Sequence, residues 1–383
     1  MKIAYLSGSV FPSRRANTVH VMKMCAAMVR AGHNVVLFGR RSPGCTDLDI
    51  FRYYGLEHNF ELDLVSSSVG RLVPSVAGAF RLLARSIRFK PDLYYARRRP
   101  LAVVASFGSR PLIYEAHEMP IKAHHRRMES QILNSASLRC LVTISEVLAE
   151  DYRAAWHHLN SKIIVAHDAS DKVPESILPF AIARRPGVPQ IGYAGSLYPG
   201  KGVEIIAKLA QRHDGMDFHI VGGDEEHIRY WQAKGCPPNV TFHGHIRHAD
   251  LSSYLCAFDV ALAPLQKIVS IDFNESDIGR WTSPLKIFEY MAHRLPIIAS
   301  DLPSLREVLA NGKNSILVPP DDIDGWSEAL ATLVSSPSFA NDLAARARQD
   351  FLSKNTWDAR VSFVLKYALD ETKPPADIAP ALV

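Results

Sequence analysis

Two series of short apolar strands alternating with helical patterns, parted by a proline-rich break, confine this chain to parallel α/β architecture in two units. Apolar runs of this kind are buried on both faces, so helices must cover both sides of the sheet they form. In the first series, Lys2–Ser7 reads as a strand and Val19–Ala31 as a helix closed by Gly32. Val21, Met22, Cys25, Met28 and Val29 recur there at helical spacing. Asn34–Phe38, Leu93–Tyr95, Leu112–Tyr114, Leu141–Ile144 and Ile163–Val165 continue the strands, while Gly8–Thr18 reads as a loop. Between Pro174 and Pro189 lie four prolines and an Arg-Arg pair without periodicity, which predicts a linker. The second series opens at Gln190–Ala194. It continues with helices over 203–212, 226–234, 285–293 and 323–334, and strands over 218–221, 240–242, 260–263 and 296–299. The expected organisation is therefore a first Rossmann-like domain over 1–173, a linker over 174–189 and a second such domain over 190–355. A helix in 356–383 would pack back on the first domain before a frayed tail. Two such domains face each other across a cleft, and doubly wound sheets bind ligands at the carboxyl ends of their strands.

A chain of 383 residues with 47% hydrophobic content can bury a sizeable core, which excludes disorder. Its apolar stretches, such as Leu101–Phe107, are too short to cross a bilayer, which takes about 20 residues. The opening residues read as a core strand and not as a signal peptide. Five scattered cysteines without a C-x-x-C fit a reducing, cytoplasmic setting better than a disulfide framework or zinc ribbon. Charge is divided unevenly. Residues 1–185 carry 26 Lys/Arg against 15 Asp/Glu, a net of +11, and the remainder 18 against 24, a net of −6. The basic half predicts anionic partners.

Three segments carry chemistry. Tyr193-Ala-Gly195-Ser196-Leu-Tyr-Pro-Gly200-Lys201-Gly202 follows a strand and precedes a helix, so its backbone N–H groups and Lys201 form a cradle for phosphate. Position 202 is Gly where a Walker loop has Ser or Thr, so the handle for Mg²⁺ is missing. A tight turn bearing a surface lysine is the competing reading. In Thr282–Asp301, Ser283 is a natural N-cap, Pro284 suits the first helical position, and free N–H groups follow. Glu289 sits one turn in, able to accept two hydroxyls or simply solvated. Tyr114-Glu115-Ala-His117-Glu118 ends a first-domain strand, which makes His117 a proton donor or acceptor in the cleft or a structural loop histidine. Asp47-Leu-Asp49, in a polar loop, and Asp322-Ile-Asp324, at a helix start, read as structural and not as metal sites. His243, His245 and His248 lack partners at zinc spacing, and no G-x-G-x-x-G is present, so no metal or cofactor is expected.

These residues resemble the family-4 type of retaining glycosyltransferase, of the GT-B fold, over nearly the whole chain. The match is most specific at Gly195–Gly202 and at Glu289-Tyr-Met-Ala-His-Arg-Leu-Pro296, similar to that family's E-A-M-A-x-G-x-P block. The resemblance implies that Gly195, Ser196, Gly200, Lys201, Ser283 and the amides of Leu285 and Lys286 line the donor diphosphate. Glu289 would hold the ribose hydroxyls, and the backbone at His245 and Ile246 would read the base. His117 would lie beside the transferred sugar, so that His117, Lys201 and Glu289 form the catalytic set. The donor would be a UDP- or GDP-sugar and the acceptor a glycan, a lipid-linked saccharide or a small molecule, in bacterial cell-surface glycan synthesis. The chain departs from the pattern at Ser196, where an arginine is common, at Trp281, where the E-x₇-E pair has its first Glu, and at His167-Asp168, in place of N-G. It also lacks a Gly-Gly in the segment Gly8–Thr18. A nucleotide-sugar epimerase or hydrolase and a non-catalytic donor-binding subunit remain alternatives. Nucleic acid is not expected, since no aromatic–basic stacking segment is seen. The stretch 71–127, with 12 Lys/Arg, predicts docking on an anionic membrane surface. There Leu72, Val76, Phe80, Leu83 and Ile87 form one helical stripe, and Arg81, Arg85 and Arg88 another.

Overall fold

Strand and helix alternate from the first residues. The first unit runs β1 (Lys2–Phe11), α1 (Ala16–Arg30), β2 (Asn34–Arg41), α2 (Asp47–Tyr53), β3 (Glu61–Ser66), α3 (Val76–Phe89), β4 (Leu93–Ala96), α4 (Arg99–Ser106), β5 (Leu112–Ala116), α5 (Ala123–Leu133), β6 (Leu138–Thr143), α6 (Glu146–Ala155) and β7 (Ile163–Val165). The second runs β8 (Gln190–Ala194), α7 (Val203–Arg212), β9 (Asp217–Val221), α8 (Glu225–Ala233), β10 (Val240–Gly244), α9 (Leu251–Leu255), β11 (Val260–Ala263), α10 (Leu285–Ala292), β12 (Ile297–Ser300), α11 (Pro303–Arg306), β13 (Ile316–Val318), α12 (Ile323–Ser335) and α13 (Pro337–Lys354). A last helix, α14 (Trp357–Leu369), ends the chain's described part. This computed structural model describes residues 1–66, 76–174, 176–182, 185, 187–269 and 279–370.

Both sheets are parallel throughout. The first has seven strands in the order β3-β2-β1-β4-β5-β6-β7 and the second six in the order β10-β9-β8-β11-β12-β13. In each sheet the order reverses beside the first strand, and the carboxyl ends gathered there open onto the same cleft. Each sheet has an apolar cluster on either face. In the first unit Ile3, Tyr5 and Met22 share one cluster with Trp357, Val361 and Val364 of α14, so the end of the chain completes the first domain's core. The chain crosses between units twice, and the crossings lie side by side. The Ser170 amide donates to Asn355 O at 3.1 Å, and the Trp357 amide donates to Ser170 O at 3.3 Å.

Several expectations need correction. Asp47-Leu-Asp49 is not in a loop. Thr46 caps α2, and Thr46 and Asp49 form a reciprocal capping box, which stabilises the helix start by satisfying two free N–H groups. β1 runs on to Phe11, because after a register shift Val10 and Phe11 pair again with Arg40 and Arg41. The edge strands β3 and β13 gave no clear pattern because they are only partly buried. The cap of α10 is Pro284, one residue later than expected, and Ser283 uses its hydroxyl elsewhere. The frayed tail and Leu72 lie outside the described residues. No described helix is long and apolar enough to cross a membrane.

Candidate functional site

On the second domain's side, β8 ends at Ala194, and the loop that opens with Gly195 leads through Lys201 to α7. Gly195 has φ of +152°, and a Cβ there would stand 2.8 Å from Lys286 Nζ. Gly200 also has a left-handed φ, +80°. A Cβ there would meet Ile268 O at 2.0 Å, so it is a glycine for packing against the 264–269 segment. Burial lowers the Lys201 ammonium to a pKa of about 8, and it pairs with no described carboxylate. Ser196 accepts the Tyr193 hydroxyl on its carbonyl at 2.7 Å.

Helix α10 supplies the opposite wall. Tyr290 fixes it to the sheet by accepting the Ala194 amide at 2.8 Å and donating to Leu262 O at 3.3 Å. Leu285 and Lys286 begin the helix with amides that no earlier turn can satisfy. The Lys286 side chain was not singled out by sequence. Lys286 is 8% exposed, its Nζ has no hydrogen-bond partner, and it lies 3.7 Å from the Tyr193 ring centroid. Burial first, and then Lys201, hold this ammonium well below the usual lysine range. Two mutually repelling lysines without a carboxylate ion pair thus flank the glycine loop. Glu289 is buried, not solvated, and His248 Nε2 lies 3.0 Å from its Oε1. Its spacing in sequence offers His248 only as a zinc ligand, and only the fold brings it to α10.

His245 and Ile246, expected to face the base, sit at the domain boundary. The Tyr53 hydroxyl lies 2.9 Å from His245 Nε2, and His245 and Ile246 line an open recess of about 430 Å³ with Phe180, Arg247, Asp250, Ser253 and Tyr254. Nearby, Arg14 pairs with Asp224 across the cleft.

On the first domain's side His117 follows β5. Its Nδ1 accepts from Arg97 at 3.0 Å and its Nε2 lies 2.6 Å from Glu115 Oε1, which makes Nε2–H the donor. Burial, then the Arg97 charge, lower its pKa to about 4, so the ring is neutral at pH 7. Glu115 is fully buried. Burial favours its neutral form, yet Arg360 at 3.1 Å, His20 at 2.9 Å and the His117 hydrogen bond together hold it well below the usual carboxylate range. Tyr95 also donates to it. His20 Nδ1 lies 2.7 Å from Asp168, whose own amide donates to Ser283 Oγ at 3.0 Å. This relay joins His117 to the start of α10, across the cleft. His20, Glu115 and His117 have ligand atoms within 4.8 Å of one another, but each is already engaged with a protein group. Arg97 belongs to the Arg97-Arg98-Arg99 run, which by its charge could hold an anionic acceptor, but no motif marks His20 or Arg360, and Arg360 comes from α14.

The departures from the family pattern have structural occupations. Trp281 donates its Nε1–H to Asp151 at 2.6 Å, Arg280 grips the same carboxylate, and the indole packs on the first domain's core. His167 Nε2 lies 2.7 Å from Glu307, which also accepts the amides of Glu146 and Val147 at the start of α6. Both positions link the domains.

Residues 188–336 match the family model described as "Glycosyl transferases group 1". A glycogen synthase of Mycobacterium tuberculosis (strain CDC 1551 / Oshkosh) is 23% identical over 88% of this chain and 87% of its own. A phosphatidyl-myo-inositol mannosyltransferase of Mycolicibacterium smegmatis is 31% identical over 39% of this chain and 37% of its own. Among solved structures, Anabaena Alr3699/HepE in complex with UDP-glucose superposes with a TM-score of 0.68 at 16% identity, covering 96% of this chain and 99% of that one. The chain accordingly has the GT-B fold, and its residues 188–336 are similar to the group 1 glycosyl transferases.

Proposed function

We propose that the protein moves a hexosyl unit from a UDP- or GDP-sugar to an acceptor hydroxyl, with retention at the anomeric carbon and without a metal, in cell-surface glycan synthesis. The observation that carries this reading is Lys286, buried with its Nζ unpartnered beside the Gly195 loop and the first amides of α10, with the half-buried Lys201 next to it and neither lysine in an ion pair among the described residues. A buried unpaired ammonium is costly unless a ligand completes it. A nucleoside diphosphate would supply that charge. As the glycosidic C–O bond breaks, negative charge grows on the β-phosphate, and preorganised cations and N–H groups stabilise it without reorganisation. Lys286 takes the place of the arginine absent at 196. Glu289, held by His248, accepts the ribose hydroxyls, and the backbone at His245 and Ile246 faces the base. His117 is neutral, with its Nε2–H turned to Glu115. It positions the sugar and does not act as an acid. Glu115 lies buried behind it and is committed to Arg360, which favours same-face displacement over a covalent glycosyl-enzyme. Both D-x-D spellings have other work. Asp47 pairs with Arg41, Asp49 and Asp322 cap helices, and Asp324 pairs with Arg212.

Thermal stabilisation by a panel of UDP-, GDP-, ADP- and dTDP-sugars tests the donor class, and the anomeric configuration of the product tests retention. Turnover is expected to persist in excess chelator. Complete loss, reversed by Mg²⁺ or Mn²⁺, would refute the metal-free mechanism. Product formed without acceptor would favour the epimerase or hydrolase reading, and donor binding without turnover the non-catalytic one.

The same enzyme docks peripherally on an anionic, cytoplasm-facing membrane through α3. Its inner face is Ala79, Leu82 and Ser86, which leaves Phe80 and Ile87 52% and 49% exposed between Arg81, Arg85 and Arg88. Each basic residue near such a surface contributes about 1 kcal/mol. Co-sedimentation with anionic but not neutral vesicles is expected, lost at high salt and in Arg81→Ser/Arg85→Ser/Arg88→Ser. No binding at low salt would leave an enzyme that works away from membranes.

A further inference from the structure

We infer that the acceptor carries a phosphate group and that Arg15, Arg40 and Arg98 of the first domain hold it at the mouth of the cleft. This deepens the transferase reading and rests on it, because it names the acceptor's chemistry. The three arginines come from the carboxyl ends of three adjacent strands. Arg40 stands in β2, Arg98 follows β4, and Arg15 ends the segment that follows β1, whose neighbours in the sheet are β2 and β4. Arg40 and Arg98 meet at Gly8. Arg40 Nε donates to Gly8 O at 3.1 Å, and Arg98 Cδ lies 3.6 Å from where a Gly8 Cβ would stand. Arg98 is also the N-cap of α4, where its carbonyl accepts the Leu101 and Ala102 amides at 3.0 Å and Pro100 has no N–H, so the donors offered here are the guanidiniums and not the helix start. The position is on the cleft: Arg14, next to Arg15, already reaches Asp224 of the donor domain.

No described carboxylate pairs with Arg15, Arg40 or Arg98, although elsewhere Arg41, Arg85 and Arg99 each have one. Burial and then their arginine neighbours push the guanidiniums of Arg40 and Arg98 below their ordinary value. Like charges crowded without a counter-ion destabilise the empty site and favour an anion, with Arg40 and Arg98 converging at Gly8 and Arg15 adding its charge from the end of the β1–α1 segment. Guanidinium forks match the oxygens of a phosphate, which three of them can neutralise fully. A phosphate anchored there would fix an acceptor hydroxyl opposite the donor loop. The phosphate could belong to a soluble sugar phosphate or to a lipid headgroup, and the shared chemistry is what the site reads.

The test uses the full chain with the donor site saturated by the nucleoside diphosphate that stabilises it, so that phosphate cannot report from the lysines. Inorganic phosphate, glucose 6-phosphate, glucose, and vesicles of phosphatidate or of phosphatidylcholine are then titrated into the parent and into Arg40→Gln/Arg98→Gln. Glucose 6-phosphate binding, with glucose silent, weakened tenfold or more in the variant, supports a soluble acceptor. Phosphatidate binding weakened likewise, with soluble phosphates silent, supports a lipid-linked one. Equal behaviour of parent and variant toward every phosphate overturns the inference. The variant removes repulsion and should melt no lower than the parent; if it fails to fold, Arg98→Gln alone is read in the same way. Failure of every nucleoside diphosphate to bind the parent overturns the donor reading instead, and the phosphate arms, run without it, still decide this one by the difference between parent and variant.

Discussion

Lys201→Ala is expected to reduce transfer by about tenfold to a hundredfold, while the melting temperature stays within a few degrees of the parent. The loss corresponds to a charge-assisted hydrogen bond of roughly 1.5–3 kcal/mol to the departing diphosphate. Its stability effect is small because a desolvated, half-buried ammonium without an ion-pair partner contributes nothing favourable to the unliganded fold. The pH dependence carries a further signature. Donor binding needs the charged ammonium, and burial has lowered its pKa to about 8, so affinity should fall as pH rises above about 8. In the variant that descent should flatten. Lys286→Met sharpens the comparison, since it replaces the unpartnered cation by an apolar chain of similar length. Donor affinity should drop while the unliganded protein melts higher. Initial rates and donor titrations at pH 7 and pH 9 decide the matter. Lys201→Ala activity within about threefold of the parent would sink the diphosphate assignment.

The largest effect on stability is expected from Arg360→Leu. Arg360 is buried in α14 and is bound to Glu115 at 3.1 Å, to His167 O at 2.8 Å and to Ala166 O at 3.1 Å. Removing it leaves the Glu115 carboxylate buried without its strongest partner, which costs about 3–5 kcal/mol. Glu115→Gln in the same chain should recover part of that, because the two changes act on one interaction. Urea unfolding of the parent, both single variants and the double variant measures the coupling. Additive losses would show that Arg360 and Glu115 do not act as a pair. Activity should fall as well, since Glu115 orients His117. The neighbouring histidine sets a pH window of its own. His117 has a folded pKa of about 4, below its unfolded value of about 6.5. Between these the unfolded chain binds more protons, so stability declines as pH falls through that interval and is fully present above it.

Much of the candidate site was legible before folding because it is made of local signals. A Gly-rich turn between a strand and a helix, a lysine at its end and a Pro at a helix start lie within a few residues of one another, where steric and capping rules act directly. Those rules led to Gly195, Lys201, Leu285 and Glu289. They misjudged Ser283, since a good capping hydroxyl was drawn instead to the Asp168 amide 115 positions away. They were silent on Lys286 as a cation, because within a helix a lysine near the start is ordinarily solvated, and only the approach of Gly195 and Tyr193 buries it.

By itself the sequence determined the two parallel α/β units, the break between them and the phosphate-type turn, since hydrophobic period and backbone propensity are local and additive along the chain. Tertiary structure alone decided which charges meet. His20, Glu115, Asp168 and Arg360 are far apart in the chain, and each would be solvated in isolation. Their pairing follows from the return of α14 to the first sheet, driven by burial of Trp357, Val361 and Val364, and not from any pattern in the charges themselves. Apolar burial brings distant segments together, and the ionic groups carried with them must then find partners or remain unpaired where a ligand will come.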